Sequence, residues 1–141
     1  ISGDAFVKDW IIKVRNDVPD APVLVTAGGL LHYFEENKVI SLLRMIGQSG
    51  NMEVVFDTVN KKGMAMMQKK YMKQVGHADA QMFFYVDAAK ELAAKIRGNV
   101  KVIAEEPYYR YIPKNGLKLS TKVSMAVSDQ FKMVKMIHLK L

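Results

Sequence analysis

The chain has 141 residues and contains no cysteine. Disulfides, thiolate metal sites and a cysteine nucleophile are therefore excluded, and a reducing, cytoplasmic setting is the default expectation. No apolar run approaches the ~18 residues that a bilayer-spanning helix needs, so we expect no membrane span. The sequence contains no signal-peptide pattern. It opens on Ile1 rather than on methionine, which predicts that the chain is cut from a longer protein.

Signatures of catalysis and metal binding are also missing. There is no G-x-S-x-G segment, which argues against a hydrolase. The only glycine pair, Gly28-Gly29, does not form the G-x-G-x-x-G fingerprint of dinucleotide binding. The three histidines, His32, His77 and His138, lack metal-ligand spacing, so no metal site is predicted.

Positive charge is plentiful but unevenly distributed. The formal net charge is +7; residues 1–60 hold five basic and eight acidic side chains, whereas residues 61–141 hold sixteen basic and six acidic ones. Such a basic half can indicate nucleic acid or an anionic membrane as a partner. Specific phosphate and base readout relies mainly on bidentate contacts from arginine, however, and nearly all these cations are lysines scattered at helix or strand spacing. We therefore favour solvated lysine faces and predict no nucleic-acid partner.

The hydrophobic pattern predicts one α/β domain over residues 1–141, because strands and helices alternate. The first strand has no polar residue before Thr26, which predicts burial on both faces. Asp87 is expected to cap the fourth helix, and Pro107 to end the third strand or mark an edge. The predicted strands cover residues 23–27, 52–57, 100–104 and 133–141, and the predicted helices cover residues 8–15, 35–46, 61–75, 88–96 and 119–131.

The most informative segment is residues 21–34, APVLVTAGGLLHYF. A short apolar strand ends in a glycine pair and is followed by an apolar-aromatic turn, an acidic helix start, an amphipathic helix and a second apolar strand. This order predicts a βαβ unit with a loop at the carboxyl end of its first strand. Open α/β sheets bind ligands at that edge.

The order of these parts resembles the second half of a class I S-adenosylmethionine-dependent methyltransferase, in the leucine carboxyl methyltransferase and polyketide O-methyltransferase family. Residues 26–36, TAGGLLHYFEE, are similar to the family pattern x-A-E-G-x-L-x-Y-[LF]-x-E-E, with Gly28 in place of the acidic residue. Residues 3–5, GDA, are similar to the family's G-D-x after its third strand. The segments V-F-D-T at residues 55–58 and M-I-H-L at residues 136–139 are less specific matches.

The resemblance implies a Rossmann-like sheet of strand order 3-2-1-4-5-7-6, with the last strand antiparallel. This chain would then supply strands 4-5-7-6 and their flanking helices, as the C-terminal part of a single methyltransferase domain. The N-terminal cofactor-binding half, with its Gly-rich loop and ribose-binding acid, is expected to be absent from the chain. The strand at residues 23–27 would form an open edge, where the missing half or a second copy could pair.

The resemblance also implies S-adenosylmethionine as the cofactor. Asp4 would accept a hydrogen bond from the adenine amino group, Ala5 would offer its backbone, and Phe6 would form an apolar wall. Ala27 and Gly28 would offer backbone groups to the methionine part of the cofactor.

His32 is the candidate catalytic residue, as a base for a hydroxyl acceptor on a small molecule. A phenol of pKa ~10 gains from such a base, whereas a carboxylate acceptor needs none. The alternative is that His32 caps or packs beside the helix start. Asp57 could either line the cleft or cap the helix that follows it.

Three further residues are candidates for substrate binding, namely Tyr33, Met67 and Tyr71. The last two belong to an apolar stripe that also contains Met64 and Val75. This stripe could be core, a lid over an apolar substrate, or a membrane-facing surface.

Two functions remain open at this point. The first is an O-methyltransferase acting on a hydroxyl or carboxyl group, with this chain inactive when alone. The alternative is a non-catalytic basic α/β module that binds an anionic partner such as nucleic acid, which steep salt dependence would reveal.

Overall fold

The computed structural model describes residues 3–74 and 81–141, and of residues 70–74 the backbone alone. Within these residues strands and helices alternate much as the hydrophobic pattern predicts. The helices are α1 (Asp9–Asp17), α2 (Glu36–Gly47), α3 (Lys61–Gln74), α4 (Ala89–Ile96) and α5 (Leu119–Gln130), the strands are β1 (Val23–Ala27), β2 (Met52–Val59), β3 (Lys101–Pro107) and β4 (Val134–Lys140), and a short 3-10 turn covers Leu31–Tyr33.

The four strands form one mixed sheet of order β1-β2-β4-β3. β1 and β2 are parallel, with Val23 opposite Met52, and β4 is antiparallel to both β2 and β3. The predicted α/β class, with a four-stranded mixed sheet and flanking helices, is confirmed. β1 and β3 are the two edges, so Pro107 both ends β3 and lies on an edge strand, where its missing N–H costs no ladder bond.

The main core lies on one face of this sheet. Alternate residues of β2 and β4 pack there against the apolar sides of α1, α2 and α4, because side chains two apart on a strand share a face. Each such aliphatic or aromatic side chain contributes about 1.5–3 kcal/mol when it is fully buried. The fully buried side chains include Ile11, Val39, Leu43, Ile46, Met52, Val54, Phe56, Ile137 and Leu139.

The opposite face of β1 is open to solvent. Leu24 is 56% exposed and Thr26 is also exposed, whereas Val23 and Val25 pack against the main core. The prediction that this strand is buried on both faces is therefore wrong. An apolar run does not distinguish a strand covered on two faces from an edge strand covered on one.

The start of α4 corrects a second prediction. Its N-cap residue, Ala88, makes no side-chain capping bond. The Asp87 carboxylate instead accepts the backbone N–H of Lys61 at 2.9 Å, at the start of α3. The Ala89 N–H donates to Glu105 Oε2 at 3.1 Å, so a carboxylate from β3 satisfies a backbone donor at the start of α4.

A buried ion pair joins β3, β4 and the start of α4. Lys135 is 1% exposed, and its ammonium donates to Glu105 Oε1 at 2.6 Å and to the Asp87 carbonyl at 2.7 Å. Burial by itself raises the pKa of Glu105, but hydrogen bonds from Lys135 and the Ala89 N–H outweigh it and hold that pKa below its ordinary value. A buried ammonium needs such partners, because desolvating an unpaired charge costs several kcal/mol.

Three of the four arginines make internal contacts. Arg44 donates to the carbonyls of Ile96 at 2.8 Å and Lys95 at 2.7 Å, which satisfies the C-terminus of α4. Arg15 donates to the Ala21 carbonyl at 2.7 Å, near the start of β1. Arg110 forms an exposed pair with Glu106 at 2.7 Å.

Candidate functional site

The carboxyl ends of β1 and β2 meet at one edge of the sheet because the two strands are parallel. The loop after β1 is tied to β2 there, since the Gly29 N–H donates to Asp57 Oδ1 at 2.6 Å. Gly29 has a φ of +63°, a conformation that favours glycine. Asp57 therefore lines this edge rather than capping α3, whose first turn is capped by Asn60 Oδ1 at 2.7 Å from the Gly63 N–H.

Residues 27 and 28, which were predicted to offer backbone groups to a cofactor, have different surroundings. Gly28 is exposed, and a Cβ added to it would meet no atom within 4 Å. Ala27 is the last residue of β1 and packs against the main core, so its backbone is what it can offer. The open space at Gly28 allows a ligand group to approach the main chain closely.

His32 lies in the 3-10 turn and is 9% exposed. Its carbonyl accepts the N–H groups of Phe83 at 2.8 Å and Phe84 at 3.3 Å, which holds the turn against the segment before α4. Burial lowers the pKa of the His32 imidazole, and the charge of Asp57 opposes this in part. A lowered pKa keeps the imidazole neutral at pH 7, the form that can accept a proton.

Tyr33 is an exposed neighbour of this histidine. The centroids of the His32 and Tyr33 rings lie 4.3 Å apart at an interplanar angle of 51°. Tyr33 is 47% exposed. Its ring therefore lies where a molecule approaching the edge could contact it.

The segment around Asp4 lies next to the same loop. The Phe6 ring is 4.5 Å from the Phe34 ring, centroid to centroid, and the Lys38 ammonium lies 4.4 Å from the Phe6 centroid. Asp4 Oδ1 accepts the Phe6 N–H at 2.9 Å, and Asp4 itself is exposed. The ring contact places Phe6 against Phe34, which follows the 3-10 turn of His32, and Asp4 is bonded to the backbone of Phe6.

Ala5 is engaged in a different way from its neighbours. Its carbonyl accepts a hydrogen bond from Trp10 Nε1 at 2.9 Å. This bond anchors the turn before α1 and occupies part of the backbone that was predicted to face the cofactor. The second lone pair of this carbonyl oxygen can still accept a hydrogen bond from a ligand.

The candidate substrate residues of α3 are described in part. Met67 packs with Met64, Val59, Met82 and Val134 in a second, smaller apolar cluster. This supports a core role for that half of the stripe. The side chain of Tyr71 and all of Val75 lie outside the described residues, as does His77.

A cavity of about 260 Å³ lies between α2, α4 and residues 83–88. Phe83, whose N–H bonds to the His32 carbonyl, is one of its walls. Lys95 Nζ lies 2.5 Å from Glu36 Oε1 within the lining. The described residues contain no group of three or more His, Asp or Glu side chains that could hold a metal ion.

Sequence reasoning missed the contacts that organise this edge. The aromatic run of residues 83–85 is visible in the sequence, but its bonds to His32 join positions about fifty residues apart. The bond between Asp57 and Gly29 likewise spans 28 residues. The signal that could have predicted this bond is a carboxylate at the end of one parallel strand, next to a glycine-containing loop that follows the neighbouring strand. It favours a role for Asp57 in the cleft over a role as a helix cap.

No family model matches the sequence, and no curated protein matches it either. Over the described part of the chain, no helix has both the length and the apolarity to cross a bilayer.

Proposed function

We propose that this chain is the C-terminal part of an S-adenosylmethionine-dependent O-methyltransferase acting on a hydroxyl or carboxyl group of a small molecule. The observation that carries the proposal is the sheet order β1-β2-β4-β3 with β4 antiparallel. The resemblance implied this order, as strands 4-5-7-6, from short motifs in the sequence. The agreement supports the proposal, because four strands can be arranged in many orders and directions.

The residues at the carboxyl edge fit one side of such a cofactor. Asp4 has an exposed carboxylate that can accept from an adenine amino group, and Phe6 with Phe34 forms an apolar surface beside it. The open space at Gly28 suits close approach of the methionine part to the backbone. A Gly-rich loop and a ribose-binding acid do not occur at matching positions of this sequence, so we expect weak cofactor binding by the chain alone.

S-adenosylmethionine, when bound, would supply an electrophilic methyl group, whose bond to the sulfonium sulfur breaks to leave a neutral thioether. His32, neutral because its buried imidazole has a lowered pKa, would take the proton of a hydroxyl acceptor as the acceptor oxygen forms its bond to carbon. The charge of Asp57 would favour the resulting imidazolium. Tyr33 would position the acceptor, and a carboxylate acceptor would need positioning alone.

The coding sequence upstream of Ile1 is the sharpest test of this proposal. We expect a strand followed by a Gly-rich loop roughly 60 to 90 residues before Ile1, and an acidic residue at the end of the next strand. The longer chain should transfer labelled methyl groups to small phenols or carboxylic acids. An upstream region without this pattern, together with no cofactor binding by the longer chain, would refute the proposal.

The alternative function is a basic module that binds nucleic acid, and the charge of residues 61–141 favours it. The structure weakens this alternative because Arg15, Arg44 and Arg110 already make internal contacts. Binding to a DNA or RNA duplex that falls steeply with salt would support it. We also propose a cytoplasmic location for the methyltransferase, which cell fractionation would test.

A further inference from the structure

α5 exposes the side that its sequence pattern predicts to be buried. Leu119, Val123 and Val127 follow one another at four-residue spacing and are 77%, 55% and 46% exposed. The buried residues of α5 are Met125 and Ser128. We call Leu119, Val123, Val127 and the exposed Phe131 that follows them the α5 stripe.

The segment before α5 also exposes apolar side chains. Tyr108, Tyr111, Ile112 and Leu117 are all exposed. The Tyr109 N–H donates to Asp129 Oδ1 at 3.0 Å, so the segment is held against the C-terminal end of α5. Large apolar patches on a folded protein mark interaction sites more often than chance.

The chain segment that carries this surface is rich in positive charge. Residues 108–132 contain five cationic side chains and one acidic side chain. The acidic one, Asp129, accepts the Tyr109 N–H. The cations are Arg110, Lys114, Lys118, Lys122 and Lys132.

This combination selects among possible partners. A second copy docking through the same surface would bring two sets of cations together, which is unfavourable. Nucleic acid is read by arginine forks and by stacking on accessible aromatic rings, whereas most of the α5 stripe is aliphatic and Arg110 is paired with Glu106. An anionic lipid surface takes up aliphatic side chains at the acyl boundary, tyrosines at the headgroups and lysines toward the phosphates.

We propose that residues 108–132 dock this protein on the surface of an anionic lipid bilayer, with α5 lying in the interface. The α5 stripe inserts at the level of the headgroups, and the flanking lysines contact lipid phosphates. This is surface binding without a membrane span. It is independent of the methyltransferase proposal, because none of the residues at the carboxyl edge takes part.

Vesicle flotation in a density gradient tests this proposal. Flotation separates vesicle-bound protein from aggregates, which sink. We expect the chain to float with vesicles of phosphatidylcholine containing about 30% phosphatidylglycerol and to remain at the bottom with phosphatidylcholine alone, because each lysine near an anionic surface favours binding roughly fivefold. Binding should decrease at high salt, where surface charges are screened.

Two pairs of variants locate the surface. The double variant Val123→Asn with Val127→Asn should reduce the vesicle partition coefficient about tenfold or more, since it removes the inserting side chains. The matched control is Ile12→Asn with Ile103→Asn, two exposed apolar residues elsewhere, which should float like the parent. The pair Lys118→Gln with Lys122→Gln should reduce flotation strongly, whereas Lys13→Gln with Lys90→Gln should not.

Circular dichroism shows whether each variant folds. Failure of the parent chain to float with anionic vesicles, or equal loss of flotation in the control and test variants, would overturn the proposal. A dimer lost on changing Val123 and Val127, without any flotation of the parent, would assign the surface to a second copy instead. Salt-sensitive DNA binding lost in the same variants, again without flotation, would assign it to nucleic acid.

Discussion

Two helices of twelve residues, α2 and α5, have apolar side chains at the same three- and four-residue spacing but opposite surroundings. Val39, Leu43 and Ile46 of α2 are buried against β2 and β4. Val123 and Val127 of α5 face solvent. Periodicity therefore predicts that a helix forms and where its apolar side lies, but it does not predict what covers that side.

The difference lies in the side of each helix that faces the sheet. α2 is the crossover between the parallel strands β1 and β2 and packs its apolar side on the sheet. α5 connects the antiparallel strands β3 and β4 and also contacts both, but the residues that it buries are Met125 and Ser128 rather than the α5 stripe. The first region, β1, α2 and β2, thus carries the candidate site at its carboxyl edge. The second region, β3, α5 and β4, leaves an apolar, basic surface exposed.

The largest effect should come from matched leucine substitutions in the two helices. Leu43→Ala in α2 should lower the free energy of unfolding by about 2–5 kcal/mol, because it leaves a cavity in the main core. Leu119→Ala at the start of α5 should change it by no more than about 0.5 kcal/mol, since that side chain is mostly exposed. Urea unfolding of both variants measures the difference, and equal losses would contradict the comparison.

Histidine substitutions compare the chemistry of the two regions. In the longer methyltransferase that we propose, His32→Ala should lower kcat by ~10²-fold or more with little change in cofactor affinity, if His32 is the base. His138→Ala is the matched control, because His138 lies on β4 and pairs with Glu53 at 2.8 Å. Unaltered turnover of His32→Ala would make His32 a structural residue and favour a carboxylate acceptor.

Asp4→Ala should weaken S-adenosylmethionine binding to the proposed longer methyltransferase by about 1–3 kcal/mol while leaving the fold intact. The lost interaction is the proposed bond to the adenine amino group. Asp9→Ala, in the first turn of α1, is the control. Titration calorimetry measures both, and unchanged affinity in Asp4→Ala would remove this residue from the site.

A smaller effect is expected from pH, and its sign follows from the lowered pKa of His32. Below an unfolded-state pKa of about 6.5, the unfolded chain takes up a proton that the buried imidazole resists, so the free energy of unfolding falls. The loss ends once the pH passes below the lowered folded pKa. Urea unfolding at about pH 7.5 and pH 5.5 should therefore show a smaller pH-dependent loss for His32→Gln than for the parent chain. Identical losses would contradict the burial effect.

The edge strand β1 should affect self-association of the chain more than its stability. Among residues 3–74 and 81–141, β1 has a strand partner on one side alone, and Leu24 is exposed on its open face. We expect the 141-residue chain to dimerise or aggregate through this edge and to bind S-adenosylmethionine weakly. Light scattering of the parent and of Leu24→Lys, which places a charge on the edge, should show reduced association in the variant. A monomeric parent that binds the cofactor tightly would contradict the strand assignment.

The positions of the secondary-structure elements follow closely from local signals. β1 has the predicted bounds, and α2 ends at Gly47, near its predicted end. Short-range hydrogen bonding and side-chain periodicity determine these features, and both are written in consecutive residues. The αL conformation of Gly50 after α2 is another such local feature.

The partners of the polar side chains could not be predicted in the same way. Asp87 was expected to cap α4, but its carboxylate bonds to the start of α3 and its carbonyl accepts from Lys135. The alternation of β4 puts Lys135 on the buried face with Ile137 and Leu139, but only the pairing of β4 with β3 brings Glu105 within reach of its ammonium. Each of these contacts depends on which strands become neighbours, and no local window of sequence contains that information.

The sequence by itself determined the α/β class, the order of helices and strands, and the loop after β1 as the place to look for a ligand. Those properties depend on residues close together along the chain, whose periodicity and turn chemistry act locally. The tertiary structure alone decided that His32 is buried beside Asp57, that Lys135 pairs with Glu105, and that α5 turns its apolar stripe outward. These outcomes depend on contacts between distant residues, because burial and electrostatic environment exist only after the strands have paired.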